Sequence, residues 1–357
     1  MILRVLDFDL QAPLRSQAIY HGLASVLTPD ASPILALVTP NAPYVCVGMH
    51  QDITREIDTE FCAQAHLPVI RRAAGGGAVY LDANQLFFYF IYPRALAPRT
   101  VDALYPYFIA PVVCTYQALG INAYFKPVND IHVAGRKIGG TGAATIGHAT
   151  VFVGSFLLDF DTARMAQCLL APSEDFRNAL RQCLAQCMTT MKKEGITLPT
   201  RTFLKQLFVT QVAAALQVTP EETTATSAEL SAIAQQEQEL ADPEWINQSG
   251  YKLVANGVKI AADIYFTQSI QQTRSGLIRA QLLSKDHAIA ALVLDSPALP
   301  AARAGLAQLA YALIGFELVP ETLGMYIVQI VKAQALDMAG VTGEDITAAI
   351  LSCVHRE

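Results

Sequence analysis

Two arginines stand directly before three consecutive glycines in RRAAGGGAVYLD, residues 71 to 82. Glycine accepts positive φ and lets another molecule approach the main chain, at an entropic cost that a run of three repeats. Successive N–H groups in such a turn form a concave nest for an anion, and an arginine fork suits phosphate or carboxylate. On its own the segment reads equally as an anion cradle or as a glycine-rich hairpin turn with solvated arginines, and it matches neither common nucleotide fingerprint. A second glycine-rich element is NDIHVAGRKIGGTG, residues 129 to 142. Lys137 lies there between a Gly-Arg turn and an Ile-Gly-Gly run, on or near a strand with open backbone beside it. A lone lysine on a hairpin is usually a solvated charge. Two such elements in one domain together offer cations, nests and one carboxylate, Asp130, able to help hold Mg²⁺ on a nucleotide.

The elements that must position these residues follow from periodicity. Residues 2–7 read as a strand and 12–26 as an amphipathic helix carrying Ala18, Leu23 and Val26. PILALV and YVCVGM read as strands around the turn TPNAP. A helix over 54–66 leads into the strand LPVIRR, the glycine turn and the strand LFFYFIY, and a long helix follows Pro98. INAYF, DIHVAG and RKIGGTGAAT read as short strands joined by glycine turns, and ATVFVGSFLLDFD as another strand. Interleaved strands and helices up to about residue 160 predict an α+β fold with a mixed sheet. Residues 162–240 read as mostly helical, ending in a polar run that is a candidate linker or docking helix. From Tyr251 strands return, with Gly257 and Gly276 as hairpin turns, and helices close the chain. The domain boundaries expected are 1–247 and 248–357.

Length, at 357 residues, favours two domains, and 52% hydrophobic residues with 16% charged describe a well-packed chain rather than a disordered one. A net charge of −6 without a long basic stripe argues against a general nucleic-acid binder. Arg4, Asp7 and Asp9 interrupt any secretory signal, and no apolar run is long enough to span a bilayer. The seven cysteines are scattered without a C-x-x-C pair. Cys183 and Cys187, four apart on an expected helix, read as core packing rather than a metal site. A reducing cytoplasm is the expected location.

RRAAGGGAVYLD followed by NDIHVAGRKIGGTG resembles the lipoate–protein ligases of the biotin/lipoate ligase and octanoyltransferase superfamily, in the two motifs, their order and their separation. The resemblance extends more loosely over residues 1 to about 240. EWINQSGYKL and SGLIRAQLLSKDH also resemble the accessory domain of these ligases. It implies a class II aminoacyl-tRNA-synthetase/biotin-ligase-like mixed sheet with flanking helices, plus a smaller α+β accessory domain. It also implies activation of lipoate by ATP and Mg²⁺ to lipoyl-AMP, with transfer to a lysine of an acceptor: a lipoyl domain, a glycine-cleavage carrier or a specialised lipoate-binding protein. Carried over position by position, Arg72, Gly75, Gly76, Gly77, Ala78, Val79 and Tyr80 match nucleotide-contacting residues. Lys137 matches the essential lysine, and Asn129 and Asp130 the pair preceding it. The arginines are expected on the phosphates, and Val79 and Ile138 along a slot for the acyl tail. Leu81 and Val153 stand where the family often has histidines, Ala83 replaces a common glycine, and Gly139-Gly140 replaces a frequent Ser-Gly. Two other readings stay open. An octanoyl- or lipoyl-transferase of the same superfamily needs a thiol near the lysine motif, and no cysteine lies between Cys114 and Cys168. A non-catalytic lipoate-binding module would have less need of Arg72, Asp130 and Lys137.

Overall fold

The computed structural model describes residues 1–274, 276–297 and 299–354. Two compact units divide the chain: Met1–Ala171 with Leu184–Lys252, and Pro172–Cys183 with the residues from Leu253 onward. The first unit opens with β1 (Ile2–Gln11), α1 (Pro13–Val26), β2 (Ile34–Pro40), β3 (Tyr44–Val47), α2 (Ile53–Glu56) and α3 (Thr59–Gln64). It continues through β4 (Val69–Arg71), β5 (Val79–Leu81), β6 (Gln85–Pro93), α4 (Val101–Ala118), β7 (Tyr124–Lys126) and β8 (Asp130–Val133). Then come β9 (Arg136–Ile146), β10 (Ala149–Leu157) and α5 (Thr162–Cys168). Helix α6 (Glu174–Cys187) begins in the second unit and ends in the first. The first unit closes with α7 (Arg201–Leu216), β11 (Thr219–Glu222), α8 (Ser227–Leu240) and α9 (Pro243–Ile246). In the second unit, β12 (Gly257–Ala261), β13 (Ile264–Gln272), β14 (Leu277–Lys285) and β15 (Ala288–Asp295) precede α10 (Arg303–Ala312), α11 (Pro320–Ala333) and α12 (Gly343–Leu351).

The strand β6, QLFFYFIYP, is buried at every position, so both faces of its sheet must be covered. It lies inside an eight-stranded sheet ordered β11-β1-β2-β6-β10-β9-β8-β7, in which β1 runs parallel to β2 and β11 while β6 to β9 are antiparallel. One face carries Phe88, Phe90, Phe152 and Phe156 against Phe108 of α4 and Phe208 of α7. The opposite face carries Tyr89, Ile91 and Val151 with Ile19 and Leu23 of α1. A separate small sheet, β4-β3-β5, holds the glycine turn between two of its strands. This is the α+β architecture with a mixed sheet that the strand and helix pattern predicts. In the second unit a four-stranded antiparallel sheet packs Ile278, Leu282 and Leu294 against Leu306, Ile327 and Ile346 of its helices.

Several local readings need revision. The helix expected over 54–66 is two short helices, because Asp58 leaves the helical region and its side chain caps Phe61 N–H at the start of α3. The lysine-bearing strand is not short: β9 runs eleven residues. The run TPEE pairs as β11 through backbone bonds alone, which its low β-propensity does not reveal. Gly257 starts β12 rather than turning a hairpin, since a Cβ there would stand 2.1 Å from the Phe266 carbonyl oxygen. Gly276, at φ +134°, does sit in the β13–β14 hairpin. Residues 249–252 remain in the first unit: Tyr251 N–H donates to His50 O at 2.9 Å, and Asp52 N–H donates to Tyr251 O at 3.1 Å.

The polar run at 227–240 is docked, not loose. Thr226 and Glu229 close a capping box at the start of α8, and the helix crosses α1 where a Cβ on Gly22 would stand 2.5 Å from the Ile233 backbone. Gly22→Ala must therefore push α1 and α8 apart where their backbones touch. A loss of about 1–3 kcal/mol is expected, as for other overpacked sites. Urea unfolding checks it, and undiminished stability contradicts the close crossing.

Candidate functional site

The glycine turn is held in shape by its own neighbours. Arg72 Nη2 donates to the carbonyls of Gly75 at 2.7 Å and Gly77 at 2.8 Å, and Nη1 donates to Cys46 O at 3.2 Å. Gly76 adopts φ +91°, where an L side chain is strained. Gly48, at the end of the strand YVCVGM, must also be glycine, since a Cβ would sit 2.1 Å from Gly76 O. Beneath the turn, Ala73 N–H is shared between Tyr20 Oη at 3.2 Å and His21 Nε2 at 3.3 Å. The N–H groups of Gly75, Gly76 and Gly77 have no partner among the described residues. The turn is thus a stapled loop with donors to spare, the condition for an anion nest.

Arg71 does not face this nest. It is fully buried, and its guanidinium donates to the carbonyls of Gly48, Met49, Gln51, Trp245, Ile246 and Gln248 at 2.7–3.2 Å. The expectation that both arginines hold phosphates fails for Arg71, whose donors are consumed by main chain. Trp245 Nε1–H returns a bond to Arg71 O, so the segment after α8 is bolted to the loop before α2.

The second motif places its lysine through a bulge. The register of β8 and β9 slips between Ile131↔Gly139 and His132↔Lys137, and a bulge re-aims a side chain in this way. The displaced carbonyls find partners elsewhere: Thr189 N–H donates to Lys137 O at 2.8 Å, and Tyr116 Oη–H donates to Ile138 O at 3.1 Å. Lys137 Nζ lies 2.8 Å from Asp130 Oδ1, with the lysine side chain 20% exposed and the aspartate 1%. His132 Nε2 is 3.8 Å from the other carboxylate oxygen. Gly140 leaves room for the pair, because a Cβ there would stand 3.0 Å from Lys137 Nζ. Asn129 fixes the strand opposite: its Nδ2 donates to Thr141 O, and its carbonyl accepts from Thr141 N and Oγ1.

The fold brings the two motifs together. A Cβ on Gly142, on the same face of β9 as Gly140, would stand 3.4 Å from Ala74 Cβ and 3.9 Å from Gly75 O. Val153 on β10 borders the same spot at 3.7 Å, and Leu81 pairs with Tyr44 in the small sheet and is buried in the apolar cluster of that face. Val79 is exposed and Ala78 half-buried, while Tyr80 is buried with Phe160 at its edge. Ile138 is no slot residue: it is wholly buried in the phenylalanine core on the other face. Cys46, beside Arg72, is buried and its thiol is pushed up by that burial, which disfavours a nucleophilic thiolate.

No set of three His, Cys, Asp or Glu side chains converges among the described residues. One buried carboxylate fits a Mg²⁺ that arrives on a nucleotide's phosphates with its own waters, and does not fit a resident metal. Gly48, Tyr20, His21, Tyr116 and Thr189 were not read from the sequence as site residues. Of these only Gly48, a glycine closing a strand, carried a visible signal.

Residues 13–213 match the family of the lipoyl protein ligase A/B catalytic domain, and the chain belongs to that family. It is similar to a putative lipoate-protein ligase A of Aeropyrum pernix, 29% identical over 164 residues that cover 46% of this chain and 57% of that relative. The chain thus spans little more than half the length of that relative. Its fold is similar to a solved bi-partite lipoate protein ligase of Thermoplasma acidophilum, at TM-score 0.65 and 20% identity over 71% of this chain and 100% of that one. A solved lipoate-protein ligase A bound with ATP aligns at TM-score 0.59 and 20% identity, over 69% of this chain and 98% of that one.

Two outcomes follow from the site's electrostatics. Lys137→Met leaves Asp130 buried without its cation, a loss of about 3 kcal/mol or more in stability. Adding Asp130→Asn is expected to recover most of that loss in urea unfolding; no recovery contradicts the buried pair. Separately, burial pulls His21 from 6.5 down to about 4. The unfolded chain then takes up the proton first, so stability is constant above about pH 6.5 and falls as pH drops toward 4, by about 3 kcal/mol in all. His21→Gln is expected to flatten that slope, and an unchanged slope contradicts it.

Proposed function

We propose that this chain is an ATP-dependent lipoate–protein ligase. The observation that carries the reading is the Lys137 ammonium, held by Asp130 on the face of β9 that the glycine turn meets at Gly142. Family membership supports it. Lipoate and ATP are both anions, and joining them requires their repulsion to be screened. In the first step a lipoate carboxylate oxygen bonds to the α-phosphorus and the α–β bridging bond breaks, releasing pyrophosphate and leaving lipoyl-AMP. The nest N–H groups and Lys137 stabilise the charge that grows on phosphate and carbonyl oxygens. Arg72 serves through the loop it shapes. Mg²⁺ bound with the nucleotide would supply charge to offset the leaving pyrophosphate, and Asp130 would help to hold it.

In the second step an acceptor lysine amine attacks the lipoyl carbonyl. The C–N bond forms, the C–O bond to AMP breaks, and the amine sheds a proton. Lys137 stays charged throughout, because its role is polarisation and not nucleophilic attack. The apolar surface of Val153 and Ala74 beside Gly142 suits an acyl tail and would help to keep water from a hydrolysable anhydride. The acceptor is a lipoyl domain or a related carrier; the Thermoplasma ligase, described with its E2 lipoyl domain, supports that class of partner. Seven free cysteines suit the reducing cytoplasm, and no helix among the described residues is long and apolar enough to cross a membrane. The unit from Leu253 onward contributes no glycine nest and serves as the accessory domain.

The full chain mixed with ATP, Mg²⁺, lipoate and a panel of lipoyl domains and glycine-cleavage carriers is expected to add one lipoyl group to an acceptor lysine. Intact-mass spectrometry reads the result. An acyl thioester on this chain without need of ATP supports the transferase reading instead, and no acylation of any acceptor supports a binding module.

A further inference from the structure

Lys137 is held at its amine by Asp130, but its main chain is held by a segment far along the sequence that no motif marks. Met188 pairs with Lys137 as a parallel bridge, and Thr189 N–H donates to Lys137 O at 2.8 Å. Thr189 is fully buried, and its hydroxyl donates to Glu194 Oε1 in a short bond. The same oxygen accepts from Arg136 Nη2 at 2.9 Å, and Arg136 is the residue immediately before Lys137. Glu194 therefore grips the bulge from both sides: through Thr189 onto the Lys137 carbonyl, and through Arg136 onto the preceding residue. Its own place is fixed by Glu194 N–H donating to Thr190 O at 3.0 Å. A bulged strand has fewer ladder bonds to hold it, so an external clamp decides where its side chains point.

We infer that Glu194 is a positioning residue that fixes the β9 bulge and so sets the reach of the Lys137 ammonium. It touches neither substrate nor the lysine amine. The inference rests on the ligase reading for its kinetic consequence, but the placement of Lys137 is testable without it. A displacement of about 1 Å at a reacting group costs as much as a hundredfold in rate. Carboxamide at position 194 keeps an acceptor oxygen for Thr189 and Arg136, whereas a methyl group keeps none.

The test compares Glu194→Ala, Glu194→Gln and Thr189→Val in the full chain, each checked for folding by circular dichroism. Lipoyl-AMP formation is followed as kcat and KM, and Lys137 is followed by competitive acetylation with acetic anhydride and peptide mass spectrometry. Glu194→Ala is expected to lower kcat about tenfold to a hundredfold with KM for lipoate little changed. It is also expected to speed Lys137 acetylation about threefold or more, as an amine drawn away from the buried carboxylate is more open to the reagent. Glu194→Gln is expected to stay close to wild type in both. If Glu194→Ala does not fold, Thr189→Val carries the same expectations. Folded variants with wild-type kcat and labelling overturn the inference, as does a kcat loss in Ala and Gln alike with labelling unchanged. If the wild type makes no lipoyl-AMP, the ligase reading fails while the labelling still decides the clamp.

Discussion

A lysine ammonium paired with an almost fully buried aspartate is a costly object. Removing two charges from water costs several kcal/mol per ion, and the attraction at 2.8 Å repays it only when geometry is tight and other polar atoms are satisfied. Several parts of the first unit are shaped around the pair. Gly140 gives up its side chain to make room for the ammonium, the bulge turns the lysine toward Asp130, and the displaced carbonyls at 137 and 138 are taken up by Thr189 and Tyr116. Asn129 ties the aspartate's strand to the lysine's through Thr141. Hydrophobic residues of similar volume satisfy such a site at lower cost, so the pair is better understood as chemistry than as stability.

The glycine turn follows the same logic in backbone. Its flexibility is removed from within by Arg72, from beneath by Tyr20 and His21, and from the side by Gly48. What remains is a shaped loop whose Gly75, Gly76 and Gly77 N–H groups have no partner among the described residues, so little ordering cost would fall on an anion that binds there. Arg71 extends the scaffold outward by gathering carbonyls from the loop at 48–51 and the segment at 245–248. A buried guanidinium with only carbonyl partners is a clamp on the main chain.

The strand framework of the first unit was legible because its patterns are strong: an unbroken apolar β6 and glycine runs that mark turns. Helix α1 was placed correctly but is not amphipathic: it is buried at every position from Ser16 to Ala24, and Val26 is exposed. The two motifs were legible as chemistry because glycine clusters beside cations are costly unless used. Three things were hidden. Which arginine of the pair is buried depends on tertiary partners at 48–51 and 245–248, and alternation along three residues of β4 cannot report them. Which side of β9 faces the core is inverted by a bulge, so Ile138 looked like a site residue and belongs to the phenylalanine core. The supports at Tyr116, Thr189 and Glu194 act through hydrogen bonds between distant segments, with no periodicity for a sequence to display.

The central claim, that Lys137 and the glycine nest join a lipoyl carboxylate to the α-phosphate of ATP, is tested most directly by isotope exchange between pyrophosphate and ATP. That exchange reports reversal of the first step alone and needs no acceptor protein. The account predicts exchange that requires lipoate or a similar slim acyl acid and disappears in the stability-restored Lys137→Met, Asp130→Asn double variant. Exchange that proceeds equally well without any acid, or that survives in the folded double variant, contradicts it.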